Sequence, residues 1–329
     1  MNPKKYVIFF ITVTLVAINL IAMLNFYIDP YWTFNHSNFL NNKQIDFNER
    51  EQKTNFLYFI NNQFESVMLG SSRTTFINQY NFNFNLFNYA SNGMYPYEYE
   101  YFIKTFAKLT QKNPKKIILG VDFFGTNKQT NKHSKQNFLQ KSSSKFYRYK
   151  LLYNYDILRY SIKNIKQNFK ITHAYYTRNN IKYPKPTKDL EKKIKKTLKK
   201  IKNYQYDDSL IEYWKKLRRE FSKSKFIIFT TPVTIDQLSI YKKEKLFKYY
   251  FKWLRELVFV YKKVYNFMII DKYTKNHNNF FDSNHMKPAL GNLIAEKING
   301  KNIDFGIILT EKNIDNYIKK MKKQIKKLK

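Results

Sequence analysis

A nearly unbroken apolar run close to the N-terminus constrains the fold of this chain more than any other feature. It covers residues 6–24 and reads YVIFFITVTLVAINLIAML. The only polar side chains in it are Thr12, Thr14 and Asn19. Because a helix rises about 1.5 Å per residue, about 20 such residues cross a hydrocarbon core about 30 Å thick. Residues 1–28 are therefore predicted to form a transmembrane helix.

The charges around this run predict its orientation. Lys4 and Lys5 precede it, and no Lys or Arg follows it until Lys43. Because positive residues remain on the cytoplasmic side, the rest of the chain is predicted to be extracytoplasmic, in the periplasm. A cleaved signal peptide is the alternative, since it begins in the same way. The run is longer than the usual apolar core of a signal peptide, and no small-residue cleavage site follows closely, which favours an uncleaved signal anchor.

The net charge needs an interpretation of its own. The chain carries 60 Lys and Arg against 24 Asp and Glu, a formal net charge of +36. Such an excess is typical of nucleic-acid-binding proteins, but a composition biased toward Lys, Asn, Ile, Phe and Tyr produces it without any function. An exported domain meets anionic lipid head groups and acidic polysaccharide instead. We therefore expect no nucleic-acid partner, and consider an anionic lipid surface and an envelope glycan as partners.

Composition excludes several kinds of site. The 329 residues include no cysteine, which removes disulfides, thiolate zinc sites, iron–sulfur clusters and cysteine nucleophiles. A hydrophobic fraction of 43% excludes intrinsic disorder. Four histidines, His36, His133, His173 and His277, lie in polar segments without carboxylates at ligand spacing, so no metal site is predicted. Neither a phosphate-binding glycine loop nor a dinucleotide fingerprint is present, so no cofactor is expected.

Apolar runs and helical spacing predict the fold class. The predicted strands are Ser66–Leu69, Phe84–Ala90, Lys116–Val121, Lys225–Phe229 and Phe267–Ile270. The predicted helices between them are Tyr97–Lys112, Leu210–Phe221, Lys245–Lys263 and Lys287–Ile298. Continuous apolar strands that alternate with helices indicate a mostly parallel sheet covered on both faces. We predict a three-layer α/β/α domain over 60–300, preceded by a juxtamembrane segment, 29–59.

Two basic segments accompany this domain. A long insertion, about 126–224, carries predicted helices near 146–169 and 188–202. The apolar face of the second helix consists of Leu190, Ile194, Leu198 and Ile201. It fits either an ordinary helix packed on the domain, or a lid or glycan-binding surface. The C-terminal segment, 301–329, predicts a basic amphipathic helix that lies on an anionic membrane or is a solvated, frayed end.

Two short motifs carry candidate chemistry. Small residues at 70–72 follow the first predicted strand, where a tight turn can present a hydroxyl, and a helix from Arg73 would aim its N–H groups at it. Asp282 and His285 lie three residues apart before a predicted helix. Such a carboxylate either caps the helix or orients the imidazole as the general base for a serine. The chain order Ser, Asp, His favours the second interpretation.

These motifs resemble those of the SGNH (GDSL-like) hydrolase superfamily, particularly its membrane-anchored extracytoplasmic members that act in O-acylation of cell-envelope polymers. The segment Val67-Met68-Leu69-Gly70-Ser71-Ser72 resembles the first block, which implies that Ser72 is the nucleophile. Asp282 and His285 match the last block and would complete the triad. The resemblance also implies the flavodoxin-like SGNH arrangement of the sheet.

The resemblance extends to the oxyanion hole. The second block resembles Asn88-Tyr89-Ala90-Ser91-Asn92-Gly93, which implies that the backbone N–H groups of Gly93 and Ser72 bind the oxyanion, with Asn92 in the pocket. Of the seven glycines in the chain, Gly70, Gly93 and Gly120 fall on block positions.

The third block departs from the superfamily pattern. Where the family has Gly-x-Asn, this chain has Gly120-Val121-Asp122. An ionised Asp122 cannot donate to an oxyanion and would repel it, but it could pair with Arg73, a further pocket residue. This departure lowers the esterase activity that we expect.

The sequence thus predicts a serine acyl esterase or O-acyltransferase, such as an O-acetyltransferase, that modifies an envelope polysaccharide through Ser72, His285 and Asp282. Transfer of the acyl group to water or to a sugar hydroxyl fits the sequence equally well. A membrane-embedded acyltransferase is a candidate partner. The alternative is a non-catalytic accessory protein of the same fold that binds acidic glycan or anionic lipid.

Overall fold

The computed structural model describes residues 2–129, 136–199, 201 and 203–328, and His133 lies outside these ranges. The chain forms two compact units. Unit 1 contains Met1–Asn62 and Asn137–Pro186, and unit 2 contains Gln63–Gln136 and Thr187–Lys329. The predicted insertion is therefore divided between the units, and the predicted juxtamembrane segment is part of unit 1.

Helices and strands are numbered in chain order. The helices are α1 (Pro3–Ile28), α2 (Glu49–Asn55), α3 (Tyr99–Thr110), α4 (Phe138–Ser142), α5 (Tyr147–Leu152), α6 (Tyr155–Phe169), α7 (Leu190–Thr197), α8 (Leu210–Glu220), α9 (Ile235–Lys243), α10 (Phe247–Tyr261), α11 (Lys272–Lys275), α12 (Pro288–Ile298) and α13 (Ile314–Lys326). The strands are β1 (Gln44–Ile45), β2 (Ser66–Gly70), β3 (Leu86–Asn88), β4 (Lys116–Val121), β5 (Tyr175–Tyr176), β6 (Lys182–Tyr183), β7 (Lys225–Thr230), β8 (Val264–Asn266) and β9 (Ile307–Leu309). Short 3₁₀ turns lie at Thr74–Phe76, Gln79–Asn81, Pro96–Glu98, Phe123–Thr126 and His277–Asn279, and a π-turn at Phe56–Ile60.

Unit 2 is built on a mixed sheet that is mostly parallel. Its strand order is β3-β2-β4-β7-β8-β9, in which the first five strands are parallel and β9 is antiparallel to β8. Numbered along the chain, the parallel strands have the order 2-1-3-4-5, one of the two common orders of doubly wound sheets. The predicted α/β class with a mostly parallel sheet is confirmed. The sheet also extends beyond the predicted boundary at residue 300, because β9 forms its edge.

The last parallel strand differs from its prediction. It is β8, which ends at Asn266, and the predicted segment Phe267–Ile270 follows it. The backbone N–H groups of Phe267 and Met268 donate to the Thr230 hydroxyl, at 2.9 and 3.2 Å, instead of to a neighbouring strand. The side chain of β7's last residue therefore ends the ladder, which an apolar pattern does not reveal.

Helices cover both faces of the sheet. On one face, Met68 and Ile118 belong to the same buried cluster as Leu290 of α12. On the other face, the Phe226 ring packs against Tyr261 of α10 with a centroid distance of 5.3 Å. Because side chains alternate along a strand, the apolar runs of β2, β4 and β7 supply both of these cores.

The C-terminal helix α13 is part of unit 2. Its apolar residues Ile318 and Met321 are buried, and the Tyr317 hydroxyl accepts a hydrogen bond from Asn266 Nδ2 at 2.9 Å. Its apolar face is thus covered by its own unit. Neither interpretation that the sequence allowed, a membrane-bound face or a frayed end, describes this helix.

The helix α1 begins unit 1 and is the only described helix that is long and apolar enough to cross a membrane, with a mean hydropathy of 2.7 over 18 residues. By length and composition it fits either a membrane anchor or a signal sequence. One face of its last turns, with Ala22, Asn25 and Ile28, is buried, and these turns contact α5 and α6. There Asn25 Nδ2 donates to the Leu152 carbonyl at 2.8 Å and Ser161 Oγ donates to Asn25 Oδ1 at 2.9 Å.

Ion pairs with at least one buried partner hold the segment that follows α1. Arg178 Nη2 lies 2.8 Å from Asp29 Oδ2, and Lys182 Nζ lies 2.8 Å from Asp46 and 2.5 Å from Glu49. Burial raises the pKa of Glu49, but Lys182 and Lys53 outweigh it and lower this pKa to about 2. These pairs, and the pairing of β1 with β5, join residues 29–59 to the segment that contains β5 and β6, so the predicted juxtamembrane segment is folded.

Two of the block glycines serve close packing. Gly70 and Gly120 are neighbours in the β2–β4 register, and the Thr74 side chain lies over both. A Cβ at Gly120 would collide with Thr74 Oγ1 and would lie 2.7 Å from the Phe229 ring. Glycine is therefore required where the chain turns back across the ends of these strands.

Gly120→Ala should lower the free energy of unfolding by about 1–3 kcal/mol, because the new methyl group overpacks the Thr74 contact. The control is Gly125→Ala, whose Cβ would lie 3.3 Å from the Pro96 ring and needs only a small adjustment. Urea unfolding in mild detergent, followed by circular dichroism, measures both. Equal losses in the two variants would contradict this account of Gly120.

Candidate active site

The candidate residues lie at the carboxyl ends of neighbouring parallel strands. Ser72 follows β2 and Asp122 follows β4, the strands between which the chain order of the sheet switches direction. In open α/β sheets, ligands bind outside the carboxyl ends of the strands at such a switch point. Asp282 and His285 lie in the loop before α12.

The structure brings the predicted triad together. Ser72 Oγ lies 2.8 Å from His285 Nε2, and His285 Nδ1 lies 3.0 Å from both carboxylate oxygens of Asp282. Ser72 and His285 are 213 residues apart in the chain. This is the geometry in which a carboxylate orients an imidazole and the imidazole accepts a hydroxyl proton.

The carboxylate of Asp282 is held by its own turn. Its Oδ1 accepts hydrogen bonds from the backbone N–H groups of Asn284 and His285, both at 2.9 Å. The helix α12 begins at Pro288 with Lys287 as its N-cap residue, so the alternative in which Asp282 caps that helix is wrong. The turn thus fixes the carboxylate beside the imidazole that it serves.

The electrostatics of Asp282 suit this arrangement. Burial raises the pKa of its carboxyl group, but hydrogen bonds from the His285 ring and from the two backbone N–H groups outweigh burial and lower the pKa to about 2. Asp282 is therefore ionised at neutral pH. An ionised carboxylate favours the tautomer with the proton on His285 Nδ1, which leaves Nε2 free to accept a proton from Ser72.

The segment after Ser72 differs from the expectation of a helix at Arg73. Only the single 3₁₀ turn Thr74–Phe76 forms. The side-chain amide of Asn88 donates to the carbonyls of Thr74 and Ile77, at 3.1 and 2.9 Å. Because the Thr74 carbonyl would be needed to continue a helix, this contact explains why the turn stops. Ser72 is thus followed by a 3₁₀ turn and not by the N-terminus of an α-helix, within the described residues 66–88.

A cavity of about 640 Å³ opens beside the triad. Ser72, His285 and Gly93 line it, and the other lining residues are Arg73, Tyr95, Phe124, Asn127, Gln129, Leu198, Lys199, Ile201, Tyr241 and Asn284. Gly93 has φ +59°, a backbone conformation that favours glycine. Among the described residues, Asn92 is exposed next to Gly93 but does not line this cavity.

The pairing of Arg73 with Asp122 is present and buried. Arg73 Nη1 lies 3.2 Å from Asp122 Oδ1, which also accepts a hydrogen bond from the Thr231 hydroxyl. Arg73 Nη2 donates to Asn284 Oδ1 at 2.8 Å. The negative charge of Asp122 is thus compensated. Of this pair, Arg73 and not Asp122 lines the cavity, within the described part of the chain.

Several residues that line the cavity were not predicted from the sequence. Asn284 was within the recognised block, but its contact with Arg73 depends on the fold. Lys199 lies in a run of lysines, and nothing in the sequence distinguishes it from its neighbours as a cavity residue. The predicted second insertion helix ends at Thr197, whose carbonyl accepts a hydrogen bond from Ser283 Oγ at 2.7 Å, and Leu198 then lines the cavity.

His277, unlike the expectation from its polar sequence context, contacts two carboxylates. Its ring nitrogens lie 2.5 Å from Glu191 and 2.5 Å from Asp236, carboxylates 86 and 41 residues away. Sequence spacing could not reveal them. Within the ranges that the structure describes, no group of three or more His, Cys, Asp or Glu side chains is arranged to hold a metal ion.

Asp122→Asn should lower the free energy of unfolding by about 3 kcal/mol, because it leaves the buried Arg73 guanidinium without its counter-charge. The matched control is Glu311→Gln, in the exposed pair with Lys262, which should cost less than about 1 kcal/mol. Urea unfolding in mild detergent measures both changes. A loss for Asp122→Asn no larger than the control's would show that the buried pair does not stabilise the site.

A scan against protein-family models finds no family that matches this chain, and a search of curated proteins finds no similar sequence. The function therefore has to be inferred from the geometry of the site.

Proposed function

We propose that this protein is a membrane-anchored, extracytoplasmic serine acyl esterase or O-acyltransferase of the SGNH type that modifies a cell-envelope polysaccharide. The observation that carries the proposal is the hydrogen-bonded line from Ser72 through His285 to Asp282, at the edge of a cavity. A nucleophile, a general base and an orienting carboxylate, placed at the carboxyl ends of a doubly wound sheet, suit acyl transfer through a serine ester.

The first half of the reaction forms an acyl-enzyme. Ser72 Oγ attacks the carbonyl carbon of an ester while His285 Nε2 takes the hydroxyl proton. The tetrahedral intermediate expels the alcohol, which receives that proton from His285. Asp282 stabilises the imidazolium that forms between these steps.

The second half releases the acyl group. Water or a sugar hydroxyl enters the cavity, gives a proton to His285 Nε2 and attacks the acyl carbonyl, and Ser72 leaves with that proton. Attack by water makes the protein an esterase, and attack by a polysaccharide hydroxyl makes it a transferase. Neither step needs a cofactor. A membrane-embedded acyltransferase is the partner that would deliver an acyl group to such a site.

The oxyanion would be bound by the backbone N–H groups of Ser72 and Gly93. The third donor in the SGNH superfamily is an asparagine, and here that position is Asp122. Arg73 takes its place in our proposal, because it is fixed by Asp122 and Asn284 and lines the cavity. A guanidinium so oriented stabilises a developing negative charge.

The environment of α1 supports a retained anchor over a cleaved signal peptide. Cleavage near the end of α1 would remove Asn25 and Ile28, which are buried in unit 1. It would also leave the carbonyls of Leu152 and Asn154 without the donor that Asn25 provides. Together with Lys4 and Lys5 on the cytoplasmic side, a retained anchor supports a site outside the cytoplasm.

A second candidate is a non-catalytic accessory protein that binds acidic glycan or anionic lipid. The observation that favours it is the carboxylate at Asp122, where the superfamily has an oxyanion donor. In that case the cavity would bind a glycan through Arg73 and Lys199 without turnover.

The two candidates differ in serine reactivity. The wild-type protein should be labelled by a fluorophosphonate and should cleave a simple acetyl ester, whereas Ser72→Ala and His285→Ala should lose labelling and at least about 10³-fold in kcat. Labelling is read by gel fluorescence and intact mass.

Ser71→Ala is the matched control, because Ser71 is buried beside Ser72 and its hydroxyl accepts from the Arg73 backbone N–H at 3.3 Å. It should keep the label. A wild-type protein that is neither labelled nor active on acetyl esters would remove the catalytic proposal and leave the accessory role.

The pKa of Asp282 also predicts a pH dependence of stability. A folded-state value of about 2, below the ordinary 3.8, stabilises the fold above about pH 4, and this contribution is lost as the pH falls from about 4 to about 2. The stability advantage of the wild type over Asp282→Asn should therefore shrink by about 2 kcal/mol between pH 5 and pH 2.

The control is Ser72→Ala, which keeps Asp282 and His285 together and should keep the wild-type slope. Urea unfolding at a series of pH values measures the three proteins. An advantage over Asp282→Asn that stays constant across this interval would contradict the assigned electrostatics.

A further inference from the structure

A short stretch of unit 1 exposes an unusual number of aromatic rings. Phe146, Tyr149, Tyr153 and Tyr155 are 60, 48, 58 and 71% exposed, and they lie within ten residues of each other around α5 and the start of α6. We call these four residues the aromatic surface. Four exposed aromatic groups this close in the chain are a candidate interaction site, because leaving them in water gains nothing for folding.

The aromatic surface is fixed to the end of α1. Asn25 Nδ2 donates to the carbonyls of Leu152 and Asn154, at 2.8 and 3.3 Å, on either side of Tyr153. Both of these bonds and both helices belong to unit 1. Tyr153 and Tyr155 therefore lie at the level of the last turns of α1.

A second set of contacts joins the aromatic surface to the last turns of α1. The Phe26 ring of α1 packs on Phe34 with a centroid distance of 4.8 Å, and the Arg148 guanidinium lies 5.3 Å from the Phe34 ring. The same guanidinium lies 5.0 Å from the ring of Tyr149. Phe26 and Tyr149 are thus joined through one aromatic ring and one arginine.

The length of α1 gives the depth of this level. From Tyr6 to Asn25 the helix rises about 29 Å at about 1.5 Å per residue, which matches a hydrocarbon core of about 30 Å. When Lys4 and Lys5 lie at one face of the membrane, Asn25 reaches the opposite face. Tyrosine and tryptophan concentrate in the head-group layer, where the ring is apolar and the hydroxyl remains hydrated.

The charges beside the aromatic surface suit the same environment. Lys145, Arg148 and Lys150 alternate with its aromatic residues. Long basic side chains at this depth extend toward lipid phosphates while their stems contact apolar groups. No carboxylate occurs between residues 145 and 155, and Asp156, the next residue, lies 3.6 Å from the Arg159 guanidinium. The stretch is therefore complementary to an anionic head-group layer.

We propose that the aromatic surface inserts into the head-group layer of the membrane that α1 crosses, on the side where α1 ends. Unit 1 is then attached at two places, through α1 and through Phe146, Tyr149, Tyr153 and Tyr155. Two attachments hold unit 1 in one orientation on the membrane, which a single helix does not. This inference rests on α1 as a membrane anchor, and does not depend on catalysis at Ser72.

The absence of cysteine makes the proposal directly testable. Single variants Phe146→Cys and Tyr153→Cys each provide one site for a nitroxide label in the full chain, reconstituted in vesicles of phosphatidylethanolamine and phosphatidylglycerol. Collisions of the label with oxygen and with a water-soluble nickel chelate measure its depth by electron paramagnetic resonance. Leu15→Cys calibrates the membrane centre, and Lys5→Cys calibrates a head-group position.

The labels at 146 and 153 should report the depth of the Lys5 calibrant, with nickel-chelate accessibility reduced at least about threefold relative to a label in water. If the label at either position is as accessible as one in water while the Leu15 label lies deep in the membrane, the proposed insertion of the aromatic surface is wrong and the anchor stands. A Leu15 label in water would overturn both. Circular dichroism and fluorophosphonate labelling of each variant check its fold and its active site separately.

Discussion

The guanidinium of Arg73 joins segments that are far apart in the chain and holds them at one edge of the sheet. Within hydrogen-bonding reach it has Asp122 at the end of β4 and Asn284 in the loop that carries Asp282 and His285. Because Arg73 directly follows Ser72, the same contacts locate the hydroxyl opposite the imidazole. The buried charge is tolerated since Asp122 compensates it, and removing either partner would leave an unpaired buried ion. The candidate site therefore depends on this ion pair as well as on the contacts within the triad.

The second constraint is steric. Gly70 and Gly120 let the Thr74 side chain cross the ends of β2 and β4, and this crossing turns the chain so that Ser72 faces the cavity. Two glycines that the sequence associates with catalytic blocks thus act through packing, whereas Gly93 lies on the cavity wall itself. The same residue type serves two physical purposes in one site.

Much of the fold was predictable from local patterns, because apolar runs and helical spacing are properties of consecutive residues. The positions of β2, β4 and β7, and of α10 and α12, follow from such patterns to within a few residues. The errors have a common origin in contacts between distant segments. The strand β8 ends early because the Thr230 hydroxyl captures its next N–H groups, and the turn after Ser72 stops because Asn88 captures the Thr74 carbonyl. Residues 29–59 fold through ion pairs with partners more than 100 residues away, such as Arg178 with Asp29.

The sequence by itself determined the apolar helix, the α/β class with a mostly parallel sheet, and the identity of Ser72, Asp282 and His285 as candidates. The first two conclusions need only composition, spacing and residue chemistry, whereas the choice of Ser72 is what the resemblance to the SGNH motifs implies. Only the tertiary structure decided that the triad is within hydrogen-bonding distance, that Asp122 is neutralised by Arg73, and that the end of α1 packs against α5 and α6. The physical reason is that hydrogen bonds and ion pairs act over about 3 Å in space, and nothing in the order of residues states which distant groups will come that close.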